Sequence, residues 1–277
     1  VACALCGEVA HEALGANDAL QIVRCRGCGL VFVNPQPMEA ALREYYSAQD
    51  LMDQDGWSSY FRHRPEQIQA LWQGRFEDVR RRQNGPGVRL LDVGSGYGDF
   101  LYQARQAGWQ VRGFEFSPAV AEICRKKYGM AVEVGEIFDL RVPDNSFDVV
   151  AMWHVLEHLR DPLAVLERCH ELLAPGGLLA IEVPNLNFLV RKSYRYPLSL
   201  TLHLYHFSPA TLSAVVRKAG FEVRECRPGH TGYLYPSKAK IYAKRCLYGI
   251  SHLAEKLWGI NVSDSIRLYA SKRTNRV

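Results

Sequence analysis

Three alternating glycines, four crowded cysteines and two groups of histidines are the residues of this chain with chemistry to offer. Gly94, Gly96 and Gly98 follow the apolar run Leu90-Leu91-Asp92-Val93 and precede a helical pattern that opens at Asp99. Glycine permits tight turns and lets the main chain approach a ligand where any Cβ would collide. A dinucleotide cradle has the spacing G-x-G-x-x-G and would want its last glycine where Asp99 stands. The spacing therefore argues against NAD. A second apolar strand, Val111 to Phe114, ends at Glu115, twenty-one residues after Gly94. A carboxylate at that strand tip can accept both hydroxyls of a ribose, so the two signals together point to an adenosine without a pyrophosphate.

The cysteines are ordered as Cys3-x-x-Cys6 and Cys25-x-x-Cys28, with eighteen residues between the pairs, which is the spacing of a zinc ribbon. Each pair presents two thiolates from one turn, helped by Gly7, Gly27 and Gly29, and two such turns complete a tetrahedral four-sulfur site. Four protein ligands leave no position for a reacting water, so the expected metal is a structural zinc. Two disulfides are the competing arrangement, disfavoured in a reducing compartment, and an iron–sulfur cluster is a third. Cys124, Cys169, Cys226 and Cys246 fall singly in apolar patterns and read as buried spectators.

The run Leu90-Leu91-Asp92-Val93-Gly94-Ser95-Gly96-Tyr97-Gly98, with its acidic strand end at Glu115, resembles the class I S-adenosylmethionine-dependent methyltransferases. Asn145-Ser146-Phe147-Asp148-Val149-Val150 resembles the fourth strand of that family. His154-Val155-Leu156-Glu157-His158-Leu159-Arg160-Asp161-Pro162 resembles the loop and helix start after it, and Leu172-Leu173-Ala174-Pro175-Gly176-Gly177-Leu178 the turn into strand five. The likeness covers about residues 70 to 230 and rests on the order and spacing of these motifs rather than on any one of them. With the ribbon, the chain resembles bacterial methyltransferases that carry an N-terminal four-cysteine domain, many of them in polysaccharide or secondary-metabolite biosynthesis. The resemblance implies S-adenosylmethionine as cofactor, with Asp92, Gly94, Ser95, Gly96, Gly98, Glu115, Phe116, Glu136, Ile137, Trp153 and His154 around it. Asp92 is expected to hold the glycine loop through backbone hydrogen bonds. Glu136 is expected to accept the adenine amine while Ile137 packs on the ring, or else to be a solvated turn residue.

Methyl transfer to a hydroxyl needs an oriented acceptor and a base whose pKa lies near the working pH, and histidine suits that task best. His154, directly past the fourth strand, is one candidate base; contact with the methionine moiety of the cofactor is its rival role. His158, one helical turn on, is a substrate contact or a cap. In Leu202-His203-Leu204-Tyr205-His206-Phe207-Ser208-Pro209, alternation sets His203, Tyr205 and Phe207 on one side and His206 on the other. His206 is the second candidate base, a capped core histidine being its alternative, and His203 and Tyr205 are candidate substrate contacts.

These residues need elements to position them. Strands are predicted over 88–93, 110–115, 131–134, 147–152, 177–183, 221–226 and 265–271, with helices such as 99–107 and 117–128 between them. Alternating strands and helices require an α/β fold, a doubly wound, seven-stranded, mostly parallel sheet in which the last strand returns antiparallel. The expected domains are a zinc ribbon over 1–37, a helical linker or lid over 38–84, and a methyltransferase domain over 85–277 with a helical insertion at 229–264. Tyr45, Tyr46, Trp57, Tyr60 and Phe61 in the linker either lid the cofactor or pack onto the core.

A net charge of +5 over 277 residues permits an anionic partner without requiring one. Residues 1–40 carry only Arg24 and Arg26 against Glu8, Glu12, Asp18 and Glu39, which disfavours nucleic acid on the ribbon and with it an RNA base methyltransferase. A cofactor-binding module without catalysis is the remaining alternative to the leading expectation, O-methylation of a small-molecule or glycan acceptor. No apolar run reaches membrane-spanning length and no signal segment opens the chain, so a cytoplasmic protein is expected. Apolar residues recur at helical spacing from Ile241 to Trp258 among lysines, so segment 236–259 could lie on an anionic membrane, cover a sheet edge or make a dimer contact.

Overall fold

A computed structural model of the chain describes residues 1–16, 20–47, 65–83, 85–187, 203–229 and 263–273. The expected insertion helix within 230–262, the linker aromatics Trp57, Tyr60 and Phe61, and the side chains of Tyr45 and Tyr46 lie outside that description. Two sheets organise the rest. The smaller begins with β1 (His11–Ala16), β2 (Gln21–Cys25) and β3 (Val31–Val33), all antiparallel. Helices α1 (Glu39–Ser47) and α2 (Pro65–Arg80) lead into the larger one.

The larger sheet holds β4 (Arg89–Val93), β5 (Gln110–Glu115), β6 (Glu133–Val134), β7 (Phe147–Trp153), β8 (Leu173–Pro184), β10 (Phe221–Gly229) and β11 (Ser265–Lys272). Their order across the sheet is β10-β11-β8-β7-β4-β5-β6, parallel except where β11 runs antiparallel between β8 and β10. The helices between these strands are α3 (Asp99–Gln106), α4 (Pro118–Tyr128), α5 (Pro162–Leu172) and α6 (Pro209–Lys218). Local signals explain their starts. Ser117, Asp161 and Ser208 each accept a backbone N–H three residues on, and each is followed by a proline at the first helical position.

The sheet is the one expected, with shifted ends. The strand expected at 131–134 shortens to two residues, and the one expected from 177 begins at Leu173, because Leu173 already pairs with Phe147 before an irregularity ahead of Val149. β10 and β11 run on to Gly229 and Lys272 because they pair with each other along their whole length. No helix among the described residues is long and apolar enough to cross a membrane.

The small sheet takes its fourth strand from far along the chain. Tyr205–His206 forms a short strand, β9, that pairs with β3 as the fourth strand of the small sheet, His206 opposite Val31 and Tyr205 opposite Phe32. Val33 also donates its N–H to Leu204 O at 2.9 Å. Cys3, Leu5, Val23, Cys25, Leu30 and Phe32 share one continuous apolar core with Leu204, Tyr205, Phe207, Leu212, Val215 and Val216. Lys218 at the end of α6 reaches back to Leu5 O at 2.6 Å.

Gly98 shows how closely α3 and α4 meet. Its φ is +79°, and a Cβ there would lie 2.2 Å from Sγ of buried Cys124. Gly98→Ala adds a left-handed backbone penalty to an overpacked core, so its urea midpoint is expected to fall by an amount equivalent to about 2–4 kcal/mol.

Candidate active site

The loop after β4 is held by its own backbone. Ser95 donates its N–H to Phe114 O at 2.8 Å and its hydroxyl to Asp92 O at 2.8 Å, and Gly98 N–H reaches Ser95 O at 3.0 Å. Gly96 N–H donates to Glu115 Oε2 at 2.9 Å, while Ser117 N–H donates to the other oxygen, Oε1, at 3.0 Å. Glu115 is thereby fixed at the tip of β5, directly under the loop. Burial raises its pKa, and the N–H donors of Ser117, Gly96 and Phe116 pull against that rise.

The three glycines are not equivalent. All have positive φ, but a Cβ on Gly94 would come within 2.4 Å of Val155 Cγ2 and one on Gly98 within 2.2 Å of Cys124 Sγ. At Gly96, with φ +54°, no atom of the described residues lies within 4 Å. Two of the expected collisions are therefore with the protein itself, and of the three positions only Gly96 faces no described residue.

Asp92 holds the loop by its main chain. Its carboxyl is fully buried and neither oxygen has a hydrogen-bond partner; the backbone carbonyl of Asp92, not its side chain, holds the loop. Burial, and then the Glu115 charge, push its pKa well above the ordinary range, and Arg75 draws it back. An orphaned buried carboxyl beside a loop with one open glycine and a strand-tip carboxylate fits a nucleoside-bearing cationic ligand.

The other expected cofactor residues are spread around this rim. Phe116 is half-buried just past Glu115. Glu136 is exposed and gives its N–H to Asp139 Oδ2 at 2.9 Å, whereas Ile137 is buried in the main core. Trp153 at the end of β7 is buried on the other side of the sheet, edge-on to Phe100 with ring centres 5.0 Å apart.

His154, next in the chain, has φ +58°, uncommon outside glycine and a mark of a backbone held by its surroundings. Its N–H is tied to Glu182 O at 2.8 Å. Its Nδ1 lies 3.3 Å from Glu157 Oε1 and its Nε2 3.6 Å from Glu182 Oε1, both carboxylates being almost completely buried. Burial opposes charging the ring, but the attraction of the two carboxylates outweighs it and lifts the pKa to about 9. Both carboxylates thus favour the charged form of the ring.

The residues around Glu182 carried no motif. Arg75 on α2 donates Nε to Glu182 Oε2 at 3.0 Å, and Arg267 on β11 donates to the same oxygen at 2.6 Å. Ser265 donates to Oε1 at 2.8 Å, and Arg267 also reaches Asp78 at 2.7 Å. The Arg75 guanidinium lies 4.4 Å from the Trp72 ring centre and 5.2 Å from that of Trp153. A lone glutamate inside the apolar strand Leu178–Val183, and an arginine on the same helical face as Ile68, Phe76 and Val79, were the available signals.

The second histidine group joins the first. His158 and His203 meet edge-to-face with ring centres 4.8 Å apart, and His203 stands 6.1 Å from His206. Alternation predicts His203 and His206 on opposite sides, but β9 is only two residues long and its period does not extend back to 203. Tyr205 and Phe207 do share a side and stack at 6.0 Å. The Tyr205 hydroxyl donates to Arg160 O and accepts from Gln36 Nε2, each at 3.0 Å, so it is committed to the interior rather than to the rim.

The four N-terminal cysteines converge as expected. Cys3 and Cys28 Sγ are 3.5 Å apart, Cys6 and Cys25 Sγ 3.4 Å apart, and all four sulfurs lie within 4.8 Å of one another. A disulfide needs about 2.05 Å. Sulfurs around a tetrahedral zinc at about 2.3 Å stand about 3.8 Å apart, so the donor set could hold such an ion.

A family model described as a methyltransferase domain matches residues 60–226, more than half of the chain. This chain belongs to the methyltransferase-domain family. It is an S-adenosylmethionine-dependent methyltransferase, and the glycine loop, Glu115 and the rim at the end of β7 lie within the matched segment. Among its relatives, the ubiquinone biosynthesis O-methyltransferase of Xanthomonas axonopodis pv. citri is 30% identical over 187 residues, 61% of this chain and 75% of that protein. The protein of the same name from Pseudomonas aeruginosa is 31% identical over 165 residues, 53% of this chain and 70% of that protein. Two solved structures share the fold of this methyltransferase. One is the putative methyltransferase complexed with the Trm112 activator in Haloferax volcanii, with TM-score 0.59, 18% identity, 85% of this chain and 99% of that chain covered. The other is a possible histamine N-methyltransferase of Thermotoga maritima, with TM-score 0.55, 20% identity, 85% and 100% covered.

Proposed function

We propose that this methyltransferase moves the methyl of S-adenosylmethionine to a hydroxyl of a small-molecule acceptor. The observation that carries the reading is the meeting of His158, on the turn that packs against the glycine loop through Val155 and Gly94, with His203 and His206 at β9. The relatives named for ubiquinone biosynthesis are O-methyltransferases, which favours oxygen as the acceptor atom and a small molecule over a glycan.

The bound cofactor supplies an electrophilic methyl on a sulfonium. The chain supplies the rest. The open face at Gly96, with Glu115 below it and Asp92 beside it, is the seat for the nucleoside. His154, held toward its charged form by two buried carboxylates, is poorly placed to take the acceptor's proton; we assign it to holding Glu157 and Glu182 in place. The acceptor's oxygen is received among the remaining imidazoles. His158 is 24% exposed in its side chain, and His203 is half-buried beside it, whereas His206 is buried behind them on β9. S-adenosylhomocysteine release should be seen with phenolic or other small hydroxyl acceptors, and not with nucleotide sugars or total RNA. Release with RNA alone would overturn the acceptor class.

We further propose that the four cysteines hold a structural zinc and that residues 1–37 act as a ribbon domain that positions the acceptor side of the cleft. Support comes from β9, which the ribbon clamps through β3 two residues from His203, and from Tyr205, stacked 6.1 Å from Phe32. Cys25→Ser should release that clamp without reaching the glycine loop. Methyl transfer is expected to fall at least about tenfold while S-adenosylhomocysteine affinity changes little. Equal losses in both would mean that the ribbon supports the whole fold rather than the acceptor side.

A further inference from the structure

Glu157, His158 and His203 bring a carboxylate oxygen and two imidazole nitrogens to within 4.8 Å of one another, outside the four-cysteine cluster. The two elements that supply them are fixed independently: the turn Leu156–His158 follows β7, and His203 precedes β9 on the ribbon's sheet. Glu157 is 1% exposed, yet neither of its oxygens has a partner in hydrogen-bond geometry. His154 Nδ1 at 3.3 Å and His158 Nε2 at 3.8 Å are its charge contacts. A carboxylate buried among imidazoles, with loose charge contacts and no well-aligned hydrogen bond, has oxygen lone pairs to offer a metal ion.

We propose that Glu157, His158 and His203 bind a divalent first-row transition ion, which holds the oxygen of the acceptor. Two imidazoles and one carboxylate suit zinc, cobalt, manganese or iron better than magnesium or calcium, and three protein ligands leave positions open for a ligand oxygen. Donors around an ion at about 2.1 Å stand about 3.4 Å apart, so the cluster closes on an ion by about an ångström of side-chain movement. The place is right for the reaction: Val155, two residues before Glu157, packs against Gly94 of the cofactor loop.

The role rests on the hydroxyl acceptor proposed above. A hydroxyl bound to the ion gives up its proton to solvent, as metal-bound water does. One lone pair of that oxygen forms the new C–O bond while the S–CH3 bond breaks, and the electrons of that bond remain on sulfur. Neutral S-adenosylhomocysteine leaves, and the charge balances without any further reactant.

The test is a Co²⁺ titration of full-length protein whose ribbon is already loaded with zinc. The expected result is one further Co²⁺ per chain, with the absorption of a nitrogen- and oxygen-ligated ion and no sulfur-to-cobalt charge transfer. His203→Gln and His158→Gln should each weaken Co²⁺ at least about tenfold, with S-adenosylhomocysteine affinity retained as proof of folding; Glu157→Gln is the third arm. Absence of further Co²⁺ uptake, or uptake of equal affinity in both histidine variants, overturns the site. Cobalt bound as expected but with no methylation of any hydroxyl acceptor keeps the site and removes the acceptor class. Hydroxyl methylation by protein that takes up no further ion removes the site alone.

Discussion

S-adenosylhomocysteine titrated into Gly96→Leu protein should give no measurable heat, a loss of at least about a hundredfold or about 2.7 kcal/mol. Gly96 is the loop glycine whose Cβ would meet no atom of the described residues within 4 Å, so the added side chain enters the space proposed for the nucleoside. Its φ of +54° carries a cost of its own, about 1–2 kcal/mol for a residue with a Cβ. That cost lowers the melting temperature by a few degrees but leaves a folded protein. Gly96→Asn, which tolerates the left-handed region, separates the two effects: near-native melting with weakened binding is expected. Unchanged affinity in Gly96→Leu would show that the ligand does not lie against this loop.

Stability should decline between pH 6.5 and about 9, and His154→Gln should remove that decline. The folded pKa of His154 is lifted to about 9 from an ordinary 6.5, so its contribution is complete below 6.5 and is lost as pH rises through 9. The shift corresponds to about 3 kcal/mol as an order of magnitude. The acid side has the opposite sign. Glu182 and Glu157 are held below their ordinary range despite burial, Glu182 by Arg267, Arg75 and His154, and Glu157 by His154 and His158. Their contribution is present above the usual glutamate pKa and is lost as pH falls through the lowered values. Glu182→Gln leaves Arg75 and Arg267 buried with too little countercharge and should cost about 3–5 kcal/mol at pH 7. Urea unfolding of the three proteins at pH 6, 7.5 and 9 measures both effects. An identical alkaline slope in wild type and His154→Gln would place His154 outside the ion network.

The expected sheet is present because its signals are local. The helix caps Ser117 and Ser208 act on N–H groups three residues away, and both are made. Glu115 lies where the end of an apolar strand placed it, within hydrogen-bond reach of Gly96. Each cysteine pair is brought together by a turn of four neighbouring residues, and the antiparallel strands between the two turns bring the pairs to each other. Expectations failed where a side chain's neighbours come from elsewhere. Alternation misplaced His203, since a two-residue strand sets no period for the residues before it. Tyr205, expected at the substrate, is pinned inside by Gln36 of the ribbon, which lies 169 positions away in the chain.

Glycine spacing, a strand-end carboxylate and paired cysteines by themselves determined the glycine loop, the order of strands and helices, and the two cysteine turns, because each is a matter of backbone freedom or reach over a few residues. Only the tertiary structure decided that two buried carboxylates raise the pKa of His154, that Glu157, His158 and His203 converge, and that the small sheet borrows its fourth strand from residues 205–206. The physical reason is that a buried charge takes its state from whatever folding brings against it. Arg75 and Glu182 meet across 107 positions of chain, and no local pattern of residues encodes that meeting.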